Sequence, residues 1–126
     1  MSLLSTLGLW SLALGAVSGW LVAATIEKPE LLRKLRVKHL GRIRQTHLDW
    51  IMMGLLLLVV DVAVDDIPDW ITAFIAFGTV VNPLLFIPLA FDADASSGLV
   101  YRAITGASFL ALSVGLPALA IQQTLL

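Results

Sequence analysis

The chain has 126 residues, of which 59% are hydrophobic and 13% are charged, and its mean hydropathy is +0.94. A soluble domain carries about a quarter charged residues, and so short a chain cannot enclose this much apolar surface in one core. These numbers exclude an ordinary soluble domain and favour lipid as the solvent. The absence of cysteine excludes disulfides, iron–sulfur clusters and thiolate metal sites.

Four segments are apolar enough to cross a bilayer, for which about 20 residues suffice. The predicted spans are residues 7–26, 46–64, 70–91 and 99–121. The second span holds three ionisable residues, His47, Asp49 and Asp61, but they lie near its ends, where they can reach interfacial water. The sequence therefore predicts an all-α fold in which residues 1–126 form one four-helix membrane bundle.

The basic residues predict how the bundle is oriented. Seven of the eight lie in the first connection: Lys28, Arg33, Lys34, Arg36, Lys38, Arg42 and Arg44. The second connection contains four aspartates and no basic residue, and the short third connection is followed by Arg102. Because lysine and arginine concentrate in cytoplasmic loops, we expect the first and third connections to be cytoplasmic and both termini to lie on the other side. The expected location is a bacterial inner membrane.

The first connection has a pattern of its own between residues 29 and 44. Pro29 suits the first turn of a helix, and apolar or aromatic residues then recur at roughly helical spacing among the basic ones. This pattern predicts a basic amphipathic helix on the anionic inner leaflet. Charges that only set the orientation of the protein explain the same residues, so we expect no nucleic-acid partner.

Small residues mark two of the predicted spans as packing surfaces. They are Gly8, Gly15, Ser18, Gly19 and Ala23 in the first span and Gly106, Ser113 and Gly115 in the fourth. Small side chains let helix backbones approach closely in lipid, where water cannot drive association. Packing within one bundle and packing between subunits both remain open.

Helical geometry predicts which polar groups of the second span share a face of the helix. His47, Gly54 and Asp61 repeat every seven residues and therefore share one face. Gly54 leaves room on that face for a flat ligand or a neighbouring helix. Asp49 points about 160° away from His47, so the two do not form an obvious catalytic pair.

Three more polar residues lie towards the cytoplasmic side. Tyr101 and Arg102 are near the start of the fourth span, and Asn82 lies about 13 Å inside the end of the third. These residues could line one cavity with His47. Each also has a structural explanation: Arg102 can extend to the interface, Tyr101 can anchor there, Asn82 can bond to a backbone carbonyl, and His47 can be structural.

The chain lacks the ligand set of a protein-only zinc site, because His39 and His47 are two turns apart and there is no cysteine. A single imidazole is nevertheless enough to hold a haem iron, since the porphyrin supplies four ligands. The sequence therefore permits haem without requiring it.

The segment THLDWIMMG, Thr46 to Gly54, resembles the second-helix signature of a small four-helix membrane family that includes styrene oxide isomerase and hydroxylaminobenzene mutase. That signature is a small residue, a histidine, four or five mostly small or apolar residues, and Asn-Gly. The segment FGTVVN, Phe77 to Asn82, is similar to an aromatic-Gly-Thr-x-x-Asn stretch in the third helix of the mutase branch. The resemblance rests on these segments, about fifteen residues, and on chain length, span number and missing cysteine.

The resemblance implies a homotrimer that binds haem b between protomers, with His47 as the axial metal ligand and Gly54 and Met53 beside the cofactor. Ferric iron would act as a Lewis acid on the epoxide or hydroxylamine oxygen of a small lipophilic substrate. The family asparagine that positions substrate falls at Met53, which cannot donate a hydrogen bond. Its role would pass to Asn82 or Tyr101 as candidate catalytic residues. A second register would place His39 at the ligand position.

Two other functions remain open at this stage. One is a non-catalytic haem protein, in which the Met53 thioether would ligate a haem of another protomer. The other is a structural subunit of a larger membrane complex, or a carrier of small molecules. No charged residue lies near the predicted midplane, which argues against an ion pathway.

Overall fold

The computed structural model describes all 126 residues, which form helices and no strand. The helices are α1 (Leu3–Glu27), α2 (Pro29–Lys34), α3 (Leu40–Ala63), α4 (Asp69–Leu84), α5 (Phe86–Phe91) and α6 (Leu99–Leu125), with a 3-10 turn at Ala93–Ser97. Four helical segments are long and apolar enough to cross a membrane: α1, α3, α4 together with α5, and α6. The predicted all-α fold with four potential spans is confirmed, although the second begins at Leu40 rather than Thr46.

Most apolar side chains of the chain face outward. Only 22 of the 126 residues are buried, and large hydrophobic residues such as Trp20, Val62 and Phe109 are more than 70% exposed. A water-soluble protein does not expose so much contiguous apolar surface. Lipid around the helices accounts for this surface, and it agrees with an integral membrane protein.

The helices pack in a row in which α3 lies between α1 and α4, and α6 packs on the far side of α4. All four long helices meet in one apolar cluster at the end that holds both chain termini. Its buried members are Leu4, Leu57, Ile71, Ile75, Ala76 and Leu119. A second, smaller cluster lies at the opposite end and joins the first connection to α5 through Leu32, Val37 and Ala90.

The contact between α1 and α3 is the most extensive in the molecule. The buried residues of α1 alternate at intervals of four and three: Leu4, Gly8, Ser11, Gly15 and Ser18. A Cβ added at Gly15 would lie 2.6 Å from Ile51 Cγ1, and one added at Gly54 would lie 2.9 Å from Gly8 O. The small residues of the first span therefore pack within one chain, and they bring the two backbones into direct contact.

The first connection differs from the predicted continuous helix over residues 29–44, and that prediction is wrong. Helix α2 ends at Lys34, and Arg36 then has a positive φ of 70° before α3 starts at Leu40. The backbone N–H groups of Lys38 and His39 both donate to Ala90 O, at 2.8 and 2.9 Å. This carbonyl is in the last turn of α5 and has no partner of its own within that helix. The connection therefore folds back onto α5 instead of lying along the membrane as one helix.

The glycine contacts predict which substitutions damage the bundle. Gly54→Ala should lower the free energy of unfolding by about 1–3 kcal/mol, because its Cβ would press on the backbone of α1. Gly106→Ala is the matched control, since a Cβ there meets nothing within 4 Å, and the higher helix propensity of alanine should leave stability unchanged or raise it by up to about 1 kcal/mol. Reversible unfolding in mixed micelles measures both. Equal effects of the two substitutions would contradict the close α1–α3 contact.

Candidate functional site around His47

His47 lies against the backbone of α1. Its Nδ1 is 2.7 Å from Gly15 O and 3.1 Å from Ser18 Oγ. A carbonyl oxygen only accepts hydrogen bonds, so Nδ1 carries the ring hydrogen and donates it to Gly15 O. Ser18 Oγ also donates to Gly15 O, at 2.9 Å. This arrangement leaves Nε2 with its lone pair and with no hydrogen-bond partner in the chain.

The small residues of α1 make this contact possible. A Cβ at Gly15 would lie 2.6 Å from Ile51 Cγ1, so glycine at this position lets α3 come close enough for the imidazole to reach the backbone of α1. A Cβ at Gly19 would lie 3.4 Å from His47 Cε1, which is an ordinary contact distance. Two turns further along the same face of α3, Gly54 is covered by Gly8 and Leu12. The sequence left room at Gly54 for a flat ligand or for a neighbouring helix. Within a single chain, the neighbouring helix α1 fills this room.

Asp49 lies on a different face of α3 from His47, as the helical geometry predicts. Its Oδ2 accepts a hydrogen bond of 2.6 Å from Nδ2 of Asn82 in α4. Asn82, a candidate catalytic residue, therefore has a side-chain partner and does not bond to a backbone carbonyl. This pair was not predicted from the sequence, although the positions carry a signal for it. Asp49 is near the start of one span and Asn82 near the end of the next, so antiparallel helices bring them to similar depths.

Tyr101 occupies the break between α4 and α5. Its hydroxyl donates to Leu85 O at 2.6 Å, where the helix is interrupted between two prolines, Pro83 and Pro88. Leu85 O accepts no backbone hydrogen bond at this break and lipid cannot satisfy it, so a side-chain donor stabilises the break. Arg102, the next residue, is exposed and has no side-chain partner. Tyr101 and Arg102 thus lie apart from the imidazole.

Met53 is half-buried on α3. It follows Asp49 by four residues and therefore lies on the side of α3 that faces α4. It does not share the face of His47, which agrees with the angle of about 120° between the two side chains on a helix. Within one chain, Met53 and His47 therefore cannot hold opposite sides of the same iron.

The predicted common cavity of His47, Asn82, Tyr101 and Arg102 is not found. The five main cavities, of about 120 to 310 Å³, are lined by other residues. The structure instead separates His47, Asn82 and Tyr101 into three local hydrogen-bonded contacts, and Arg102 takes part in none of them. One apolar cavity of about 260 Å³ does lie at this end of the molecule, beneath the first connection, and Ser18 and Thr46 are its two polar lining residues.

Asp61 lies at the other end of α3, near the chain terminus. It accepts hydrogen bonds from Ser2, at 2.6 Å, and from Ser5. These hydrogen bonds join the start of α1 to the end of α3. The Asp61 carboxylate therefore holds the two helices together at the end opposite to His47.

The titratable side chains contain no group of three or more His, Cys, Asp or Glu residues that could hold a metal ion. Any metal at His47 would therefore need most of its ligands from a cofactor. No family model, curated protein or solved structure matches this chain.

The Asp49–Asn82 pair predicts a measurable coupling between α3 and α4. In a double-mutant cycle of Asp49→Ala and Asn82→Ala, we expect a coupling energy of about 0.6–1.7 kcal/mol, between the average and the maximum found for hydrogen bonds between membrane helices. The exposed Arg42–Gln45 pair, a bond of 2.8 Å within one helix, is the control and should give about 0.2–0.5 kcal/mol. Unfolding in mixed micelles provides the energies. A coupling energy near zero between Asp49 and Asn82 would contradict this hydrogen bond.

Proposed function

We propose that the chain is a membrane-embedded haem protein of the isomerase or mutase type, with His47 Nε2 as the axial ligand of haem b. The observation that carries the proposal is the hydrogen bond of 2.7 Å between His47 Nδ1 and Gly15 O. Metal-ligating histidines almost always donate their other ring N–H to a carbonyl or carboxylate, which fixes the tautomer and raises the basicity of the ligating nitrogen. His47 has this arrangement.

The neighbouring residues of α1 orient the imidazole. Ser18 Oγ contacts both His47 Nδ1 and Gly15 O, so both polar contacts of the ring meet at Nδ1. Because α1 covers Gly54, the space between α1 and α3 in one chain is already filled. The proposal therefore assigns the cofactor to the outer surface of this helix pair, where a second copy of the chain would complete the pocket. This agrees with the homotrimer that the family resemblance implies.

When bound, ferric haem supplies a Lewis acid that polarises the epoxide or hydroxylamine oxygen of a small lipophilic substrate. The chain would contribute the ligand His47 and an apolar environment that admits such a substrate from the bilayer. No external oxidant or reductant is needed for an isomerisation of this type, since the reaction has no net redox change.

A second candidate is a haem protein without isomerase activity. Asn82 and Tyr101, the residues available to position a substrate, both have hydrogen-bond partners within the fold, Asp49 and Leu85 O. Met53 stands where the resemblance expects an asparagine, and it cannot donate a hydrogen bond. These observations favour ligand binding without rearrangement chemistry. The activity experiment below separates the two candidates.

Haem binding is tested by the visible spectrum of the full chain purified in detergent from haem-supplemented cells. We expect a Soret band that His47→Ala removes, because Nε2 is lost. His39→Ala is the matched control and should keep the band, since His39 is exposed in the first connection. Colourless wild-type protein, or a band that survives His47→Ala and disappears in His39→Ala, would contradict the assignment of His47.

The reaction is tested by supplying the haem-loaded protein with an aryl epoxide or an aryl hydroxylamine and identifying the product. Isomerase function predicts a rearranged product at constant redox state, and this product should be absent with His47→Ala. Haem-loaded protein that leaves both compounds unchanged would support the second candidate. Colourless protein that purifies with unrelated subunits in fixed stoichiometry would instead indicate a subunit of a larger complex.

A further inference from the structure

The apolar cavity beneath the first connection is separate from the His47 site. It has a volume of about 260 Å³, and its walls come from α1, α3, α5 and the first connection. The lining residues used below are Leu32, Leu35, Val37, Ile43, Trp50 and Phe91. The cavity borders the Nδ1 side of the imidazole through Ser18, whereas the proposed ligand atom is Nε2. Nothing in the haem proposal uses this space.

The cavity wall is apolar although two of its lining residues, Ser18 and Thr46, have polar side chains. Ser18 Oγ is engaged with Gly15 O and His47 Nδ1. Thr46 is 5% exposed, and its Oγ1 is occluded and makes no hydrogen bond. A ligand in the cavity therefore meets only hydrocarbon, which suits an alkyl chain better than a polar molecule. The volume is slightly below the usual range of small-molecule pockets, about 300–1,000 Å³.

The rim of the cavity carries positive charge. The first connection contributes Leu32, Leu35 and Val37 to the wall, and exposed basic residues stand beside them in the chain: Arg33, Lys34, Arg36 and Lys38. None of these four side chains makes a hydrogen bond within the chain; among the basic residues only Arg42 does so, to Gln45. Their charge is thus available to a ligand.

The distribution of charge between the two ends of the molecule also favours an anionic ligand at this end. All eight lysines and arginines lie there, together with four exposed carboxylates, Glu27, Glu30, Asp92 and Asp94. The opposite end has four aspartates and no lysine or arginine. An anionic group is therefore attracted to the end that contains the apolar cavity.

We propose that this cavity and its basic rim bind one anionic phospholipid from the adjacent leaflet. An acyl chain enters the space between Ile43, Trp50 and Phe91, and the headgroup phosphate meets Arg33 and Lys34. The break after α2 forms this site, because it brings Leu35 and Val37 into the cavity wall with Phe91 of α5 while the basic side chains stay exposed. This binding does not depend on haem.

Trp50 provides the reporter, because it lines the cavity. The full chain carrying Trp10→Phe, Trp20→Phe and Trp70→Phe keeps Trp50 as its single tryptophan, and the three replaced side chains are at least 51% exposed. It is reconstituted in phosphatidylcholine vesicles that contain a small fraction of lipid with brominated acyl chains, which quench nearby tryptophan. We expect brominated phosphatidylglycerol to reach half-quenching at a mole fraction about fivefold lower than brominated phosphatidylcholine, the equivalent of one basic side chain near an anionic surface.

Two kinds of variant separate the headgroup from the acyl chain. Arg33→Gln with Lys34→Gln should abolish the preference for the anionic lipid, while the control Arg102→Gln, an exposed cation outside the rim, should preserve it. Ile43→Phe should fill the cavity and reduce quenching by both lipids. If Ile43→Phe does not insert, Leu35→Phe provides the same test at a 62% exposed position.

The proposal is supported by an anionic preference that requires Arg33 and Lys34 and by quenching that falls when the cavity is filled. Equal quenching by the two lipids would overturn it, and so would a preference that survives the glutamine substitutions. Loss of quenching in the phenylalanine variants without any headgroup preference would identify an uncharged apolar occupant, which also contradicts the proposal. His47→Ala should leave the headgroup preference unchanged, because Arg33 and Lys34 make no hydrogen bond to the imidazole, so failure of the lipid proposal is distinguishable from failure of the haem proposal.

Discussion

The close approach of α1 and α3 is the constraint on which the rest of the structure depends. Helices in lipid gain nothing from excluding water, so they associate where small residues allow backbone contact. Glycine and serine at alternating intervals of four and three residues create such a surface on α1. Once the backbones touch, the carbonyl of Gly15 becomes accessible to side chains of α3, and His47 bonds to it. The same surface that packs the helices therefore also sets the tautomer of the imidazole.

The remaining polar groups follow from the cost of an unpartnered group in hydrocarbon. Asp49 and Asn82 satisfy each other between α3 and α4, and Tyr101 satisfies the carbonyl freed at the break after Leu85. Each contact joins two neighbouring elements, so the polar residues hold the row of helices together. Polar residues in a span are functional candidates by default, but here two of the candidates already have a structural use.

The sequence predicts the helices well, because hydropathy and length decide which segments can cross a bilayer. It also separates His47 from Asp49, since the angle between them depends on helix geometry alone. The sequence does not predict features that depend on a contact with a residue far away along the chain. The break at Arg36 depends on the free Ala90 carbonyl, which lies more than fifty residues further along the chain. The Asp49–Asn82 bond likewise needs the relative rotation of two helices, which neither segment encodes separately.

The role of His47 depends on Nε2, the ring nitrogen that makes no hydrogen bond within the chain. A structural role requires one donor to Gly15 O, and an asparagine amide would supply it. The imidazole adds a second nitrogen, Nε2, which makes no hydrogen bond within the chain. Fixing the hydrogen on Nδ1 makes Nε2 an acceptor or a metal ligand and nothing else. Packing alone therefore explains where the ring lies, and the proposed ligation by Nε2 would explain why this residue is a histidine.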